Sequence, residues 1–148
     1  MRHLAQLALV ILLMTVGLTG TGMAQDDLKE GDPVTKAAIK EVIDAQINAF
    51  QRDDGVGAFS FASDGIRALF GTPDRFMKMV QSSYSQIYRP RSVEYRRLLI
   101  VRGEPVQEVF FVGLDLTTML ALYRMEQQPD GSWRVNGVMV AETSEQAT

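Results

Sequence analysis

The sequence predicts an α+β domain in which a long N-terminal helix and several short helices cover a curved, four-stranded antiparallel sheet. Two observations support this fold class. Apolar residues recur with the period of a helix up to about residue 83, and after Pro90 the period changes to two, as in strands. Helices followed by strands that tight turns separate are typical of an antiparallel meander packed against helices.

The long helix is predicted over residues 33 to 52. Asp32 is a suitable N-cap, and Pro33 fits the first helical position, where a missing amide hydrogen costs nothing. The apolar positions follow one stripe of a 3.6-residue period: Ile39, Val42, Ile43, Ile47 and Phe50. Asp53-Asp54-Gly55 is expected to end this helix.

The rest of the chain divides into shorter elements. Two short helical turns are expected between Gly57 and Phe70, and Thr72-Pro73 repeats the cap-plus-proline start of a helix that runs to about Ser83. Four strands are predicted over about 91 to 102, 106 to 115, 117 to 128 and 132 to 142. Gly137 indicates a bulge that bends the last strand.

The first 24 residues are typical of an export signal. A basic start at Met1-Arg2-His3 precedes the apolar run Leu4 to Val16, and Gly22-Met23-Ala24 places small residues before a cleavage site. The run is shorter than the roughly 20 residues that span a bilayer, although an uncleaved anchor is an alternative. We therefore expect cleavage after Ala24 and a soluble product in the bacterial periplasm or secreted, with no stable membrane insertion.

The expected domain organisation follows from these boundaries. Residues 1–24 form the cleaved signal, residues 25–32 a flexible tail, residues 33–142 a single α+β domain, and residues 143–148 a C-terminal tail. A chain of 148 residues with 46% hydrophobic and 22% charged residues can bury one core of this size.

The composition excludes several function classes. The chain has no cysteine, and its one histidine, His3, lies in the export signal. Histidine-based catalysis, thiolate chemistry and Cys/His zinc sites therefore cannot form in the mature chain. The net charge of −3 disfavours nucleic-acid binding. We expect no metal and no cofactor.

The strands are apolar on both faces, which predicts a partner or ligand on one of them. After the helices cover one face, one set of apolar residues would remain exposed on the other. This set is either Val109, Phe111, Leu120 and Leu122, or the opposing set that begins with Phe110 and Met119. A homodimer through this outer face is the predicted partner. Alternatively, the stems of Arg96, Arg124 and Glu126 cover it.

The candidate site residues belong to two different interpretations. A ligand pocket in the interior of the domain would be lined by Phe59, Phe61, Phe76 and Tyr84. Acid–base chemistry would rest on Glu108, a carboxylate on a strand face that also carries apolar residues. Glu108 is a weak catalytic candidate, because a lone strand carboxylate more often reaches solvent or pairs with an arginine.

Three other features have structural interpretations that we favour over functional ones. The arginines between Arg89 and Arg102 are read as a solvated strand edge, with an anion site as the alternative. Asp53-Asp54 is read as a helix stop, with a metal role as the alternative. Trp133 is expected to pack on the core or on a dimer partner, with ligand stacking as the alternative.

A family resemblance covers most of residues 34 to 142. The joint order of Ala-Phe, two Asp, Ala-Phe-Ser-Phe-Ala-Ser, Phe-x-x-Met-Val, Tyr88-Arg89-Pro90 and Asp-Gly-x-Trp-Arg resembles the bacterial domain-of-unknown-function family numbered 4864. That family is similar to the cone-shaped, cystatin-like fold of nuclear transport factor 2 and ketosteroid isomerase, also called SnoaL-like. The resemblance implies this cone fold and no particular reaction, because the scaffold hosts isomerases, hydrolases and binding proteins.

Three functional hypotheses remain open from the sequence. The leading one is a non-catalytic exported domain that binds a small apolar or amphipathic molecule between its helices and sheet. The second is a small isomerase- or hydrolase-like enzyme that uses carboxylate and tyrosine side chains. The third is a homodimeric scaffold whose interior is filled and whose partners are proteins.

Overall fold

A computed structural model describes residues 28–141, in which five helices are followed by four long strands. The helices are α1 (Pro33–Gln51), α2 (Gly55–Ser60), α3 (Asp64–Phe70), α4 (Pro73–Ser83) and α5 (Ser85–Tyr88). The strands are β1 (Lys29–Glu30), β2 (Pro90–Val101), β3 (Glu104–Gly113), β4 (Thr118–Gln127) and β5 (Trp133–Ala141). The predicted α+β class is confirmed, and the predicted export signal, its cleavage site and the tail at 143–148 lie outside the described residues.

The sheet has five antiparallel strands in the order β1-β2-β3-β4-β5, so the prediction of four strands is wrong. The additional strand lies within the segment expected to be a flexible tail, and its Lys29 and Glu30 pair with Ile100 and Leu99. Gly31 follows in close contact, because a Cβ there would overlap the Leu98 side chain. Two residues are too few to show a strand period, so the sequence pattern could not reveal β1.

Capping side chains set the starts of the helices. Asp32 accepts a hydrogen bond from the Thr35 amide at 2.9 Å, and Thr72 accepts one from the Arg75 amide at 3.3 Å. Both caps precede a proline in the first helical turn, as predicted. The apolar stripe of α1 then packs on the inner face of the sheet and forms the core with it.

The strand register shows which side chains share a face. Phe110 lies opposite Leu120, and Phe111 lies opposite Met119. Val109 and Phe111 therefore share the helix-covered face with Met119. The predicted sets, which placed Met119 with Phe110 and placed Leu120 with Phe111, are wrong. Alternation within each strand was read correctly, but the pairing between strands depends on the turn that joins them.

The outer face of the sheet is partly covered by this chain's own arginines. The Arg96 guanidinium lies over the Phe110 ring, 4.4 Å from its centroid, and Phe110 is buried. Leu120 and Leu122 are only half-buried on the same face. The homodimer through this face stays a prediction.

A bulge in β2 explains how two consecutive arginines reach one face. Tyr95 pairs with Val109 and Leu98 pairs with Gln107, so Arg96 and Arg97 both lie opposite Glu108. The fully buried Gln107 donates its Nε2 to the Arg96 and Arg97 carbonyls, at 3.2 Å each. Such bulges bend a strand, and another register shift lies near the predicted bulge at Gly137.

In the described part of the chain, no helix is long and apolar enough to cross a membrane.

Candidate functional site

The short helix α3 forms one wall of a cavity because its start is fixed to the sheet. The Ser63 amide donates to the Val135 carbonyl at 2.9 Å, and the Val135 amide donates to the Phe61 carbonyl at 2.8 Å. The Ser63 hydroxyl also bonds Asn136 Oδ1 at 2.8 Å and caps α3 through the Ile66 amide. This anchors only the first turn of α3, which has no fully buried residue of its own.

A cavity of about 390 Å³ lies between the helices and the last two strands. Its wall is formed by residues of α1, α3, α4, β4 and β5 together with the segments beside them: Gln46, Phe50, Ala62, Ile66, Leu69, Phe70, Phe76, Met79, Val80, Ser83, Tyr84, Ile87, Tyr123, Val135, Gly137 and Val138. None of these residues carries a charged side chain. Leu69 at the end of α3 is 74% exposed and Ser83 at the end of α4 is also exposed, so the wall reaches the surface at these two helix ends.

Phe76 is the centre of the aromatic packing beside the cavity. Its ring centroid lies 6.0 Å from that of Phe50, 5.7 Å from that of Phe70 and 5.5 Å from that of Phe59. The Phe70 pair is edge-to-face, an orientation that aromatic rings prefer, and the other two pairs are tilted. These contacts connect the four helices α1 to α4 around an apolar wall.

Two polar side chains lie deep in the wall. Gln46 is 3% exposed, and its Nε2 donates to the Ala58 carbonyl at 3.1 Å. Tyr123 is 1% exposed, and its hydroxyl has no hydrogen-bond partner among residues 28–141. Burial raises the pKa of the Tyr123 phenol, because the charged form would lose its hydration.

The structure brings two of the four predicted pocket residues to the cavity wall. Phe76 and Tyr84 line it, whereas Phe59 and Phe61 are not among the lining residues. The ring of Phe59 packs on Phe76 instead, and Phe61 contributes its backbone carbonyl to the contact between α2 and β5. Both residues support the wall without forming its surface.

Glu108, the weak catalytic candidate, lies on the opposite face of the sheet from the cavity. It pairs across the ladder with Leu122, whereas the neighbouring Tyr123 faces the helices. Its carboxylate accepts hydrogen bonds from Arg97 Nε at 3.2 Å and Nη2 at 2.9 Å. This is the structural alternative described for Glu108, a strand carboxylate paired with an arginine.

The arginines and the double aspartate stabilise the fold at separate places. Arg89 donates to the Phe50 carbonyl at 2.6 Å and to Asp53 Oδ1 at 2.8 Å. Hydrogen bonds from Tyr88 and Arg89 lower the pKa of the Asp53 carboxyl. Asp54 caps α2 through the Gly57 amide, and Trp133 packs on the core. Among the described residues, no three Asp, Glu, His or Cys side chains lie close enough together to hold a metal ion.

One comparison with known proteins identifies the family. The sequence profile described as "Domain of unknown function (DUF4864)" matches residues 33–148. This chain belongs to the DUF4864 family. The match confirms the family resemblance and extends over α1 to β5. No curated protein and no solved structure matches this DUF4864 chain at the significance that the comparisons required.

Several wall residues of this DUF4864 domain were missed by the sequence analysis, and one of them had a recognisable signal. Gln46 lies at the centre of the apolar stripe of α1, three residues after Ile43 and four before Phe50. A polar side chain at such a position must find a hydrogen bond or border a cavity. Val138 and Gly137 had no such signal, because a strand pattern does not show where a neighbouring helix ends.

Proposed function

We propose that this domain binds a neutral, largely apolar small molecule in the cavity between its helices and β5. The observation that carries the proposal is the wall itself, which combines a volume of about 390 Å³ with no charged side chain. Ligand sites are typically concave, about 300–1,000 Å³ in volume, and mostly apolar with a few polar groups. A non-catalytic binding role for an exported chain cleaved after Ala24 is part of this proposal.

The arrangement of ionisable groups supports binding over acid–base catalysis. The polar side chains of the wall are Ser83, Tyr84, Gln46 and Tyr123, and the Tyr123 hydroxyl is sealed from the cavity space. Glu108, the carboxylate considered for catalysis, lies behind the sheet and is engaged by Arg97. The alternative, a small enzyme that uses carboxylate and tyrosine side chains, would therefore need a carboxylate other than Glu108 at this wall.

The same proposal includes a cone-like fold of the nuclear transport factor 2 type. Three features support it: one long helix, short helices that pack with it against the sheet, and register shifts in β2 and between β4 and β5, which typically bend strands. In a bent sheet the concave face can enclose a cavity that a flat sheet would leave open.

Two valines of β5 provide a matched test. Val138 lines the cavity, and Val140 lies two residues further along the strand and is 53% exposed outside it. Val138→Phe should fill part of the cavity, whereas Val140→Phe adds the same group outside it. The probe is N-phenyl-1-naphthylamine, a neutral apolar fluorophore, titrated into residues 25–148.

Binding is expected for the unchanged chain and for Val140→Phe, with at least tenfold weaker binding for Val138→Phe. Thermal unfolding of both variants shows whether each remains folded. Equal probe binding by the two phenylalanine variants, or no binding by the unchanged chain, would contradict the proposal.

A further inference from the structure

The Gln46 carboxamide gives the cavity a defined chemical polarity. Gln46 is 3% exposed, and its Nε2 is committed to the Ala58 carbonyl at 3.1 Å. This bond determines which end of the amide is free, because an inverted amide would place oxygen against a carbonyl oxygen.

The Oε1 atom of Gln46 has no donor in the described part of the chain. Among the described residues, the polar side-chain atoms that lack both a hydrogen-bond partner and solvent access belong to Arg67, Gln107 and Tyr123. Gln46 Oε1 is not one of them, so part of its surface is accessible. Because Gln46 lines the cavity, the accessible surface of this oxygen faces the cavity space. A buried wall therefore presents one unengaged hydrogen-bond acceptor.

We infer that the ligand is a neutral molecule with an apolar ring body and one hydroxyl or N–H donor, which bonds Gln46 Oε1. This inference rests on the proposed function and specifies its ligand class. Phe50, one helical turn after Gln46, and Phe76 provide the apolar surface beside the acceptor. An anionic ligand does not fit this class, because no cationic side chain lines the wall.

Two naphthalenes of nearly equal shape test the inference. 2-Naphthol carries a hydroxyl donor, and 2-methylnaphthalene carries a methyl group at the same position. The quantity measured is the ratio of their dissociation constants, first for residues 25–148 and then for Gln46→Met, which keeps the length of the side chain and removes the acceptor. Gln51→Met is the matched control, because Gln51 is an exposed residue of the same helix and does not line the cavity.

Gln46→Met should shift this ratio against 2-naphthol by roughly three- to tenfold, the range expected for one buried hydrogen bond. Gln51→Met should leave the ratio unchanged. If both compounds bind but Gln46→Met does not change the ratio, the inference is wrong while the proposed function stands. If neither compound binds the unchanged chain and N-phenyl-1-naphthylamine also fails, the proposed function itself is wrong.

A measurement on the unchanged chain keeps the test valid if Gln46→Met does not fold. The carbonyl carbon of a ¹³C-labelled Gln46 side chain should shift in the NMR spectrum when 2-naphthol is added, and less when 2-methylnaphthalene is added. Equal shifts with both compounds would overturn the inference.

Discussion

Removal of one buried hydroxyl group should stabilise this protein. The Tyr123 side chain is 1% exposed, and its hydroxyl has no hydrogen-bond partner among residues 28–141. A buried polar group without a partner costs about 1–3 kcal/mol, because it has lost its bonds to water. Tyr123→Phe removes this group and keeps the ring that packs against Phe111 at 6.3 Å.

The expected size of the effect follows from two opposing contributions. The void left by one oxygen atom costs about 0.3 kcal/mol, at roughly 24 cal/mol per Å³ of cavity. Relief of the unsatisfied hydroxyl is larger, so Tyr123→Phe should raise the free energy of unfolding by about 1 kcal/mol. For a domain of this size that corresponds to an increase in Tm of about 4 °C.

Tyr95→Phe is the matched control, because the same substitution should have the opposite effect there. The Tyr95 hydroxyl donates to Asp44 Oδ1 at 2.6 Å. Its removal should lower the free energy of unfolding by about 1 kcal/mol, the usual contribution of one hydrogen bond. The assay is urea denaturation followed by the fluorescence of Trp133.

The sign of each change decides the outcome. If Tyr123→Phe destabilises the protein as much as Tyr95→Phe does, the Tyr123 hydroxyl has a partner in solution and the reasoning is refuted. An unchanged slope of the free energy against urea concentration is needed for this comparison, since a changed slope would indicate an altered unfolded state.

Two further predictions concern pH and assembly. Burial raises the pKa of the Tyr95 and Tyr123 phenols, and for Tyr95 the hydrogen bond to Asp44 is a second cause. In the unfolded chain these phenols lose their protons near pH 10. The contribution of both groups to the free energy of unfolding should therefore be complete below pH 10 and fall as the pH rises above it. Urea midpoints at pH 9 and pH 11 measure this loss, which should be smaller in the double variant Tyr95→Phe/Tyr123→Phe. For assembly, sedimentation of residues 25–148 should show a dimer that Leu122→Glu dissociates, whereas a monomer at tens of micromolar would contradict the outer-face homodimer.

The sequence predicted those parts of the fold that depend on local chemistry. Asp32-Pro33 and Thr72-Pro73 marked two helix starts, because a side-chain acceptor followed by a residue without an amide hydrogen suits that position alone. The helix α5 (Ser85–Tyr88) was missed, since four residues hold only one turn and show no period.

The features that the sequence did not predict depend on pairing between distant segments. The bulge between Tyr95 and Leu98 places Arg97 opposite Glu108, and no alternation pattern reveals an inserted residue. The same bulge places two carbonyls within reach of Gln107, which explains a fully buried polar side chain on the inner face. The carboxylate of Glu108 is therefore paired with an arginine because β2 contains this bulge.

The cavity has a related origin, because it lies where side chains are missing from the wall. Gly137 lines it at the irregular part of β5, with a φ of 155° that other residues rarely adopt, and a Cβ there would meet no atom within 4 Å. In the wall of the same cavity, α1 presents Gln46 instead of another apolar residue. A filled core at this position would require an apolar side chain on α1 and a bulkier residue on β5. Both departures from the core pattern line one cavity, and this coincidence supports the proposal that the cavity serves binding over a packing defect.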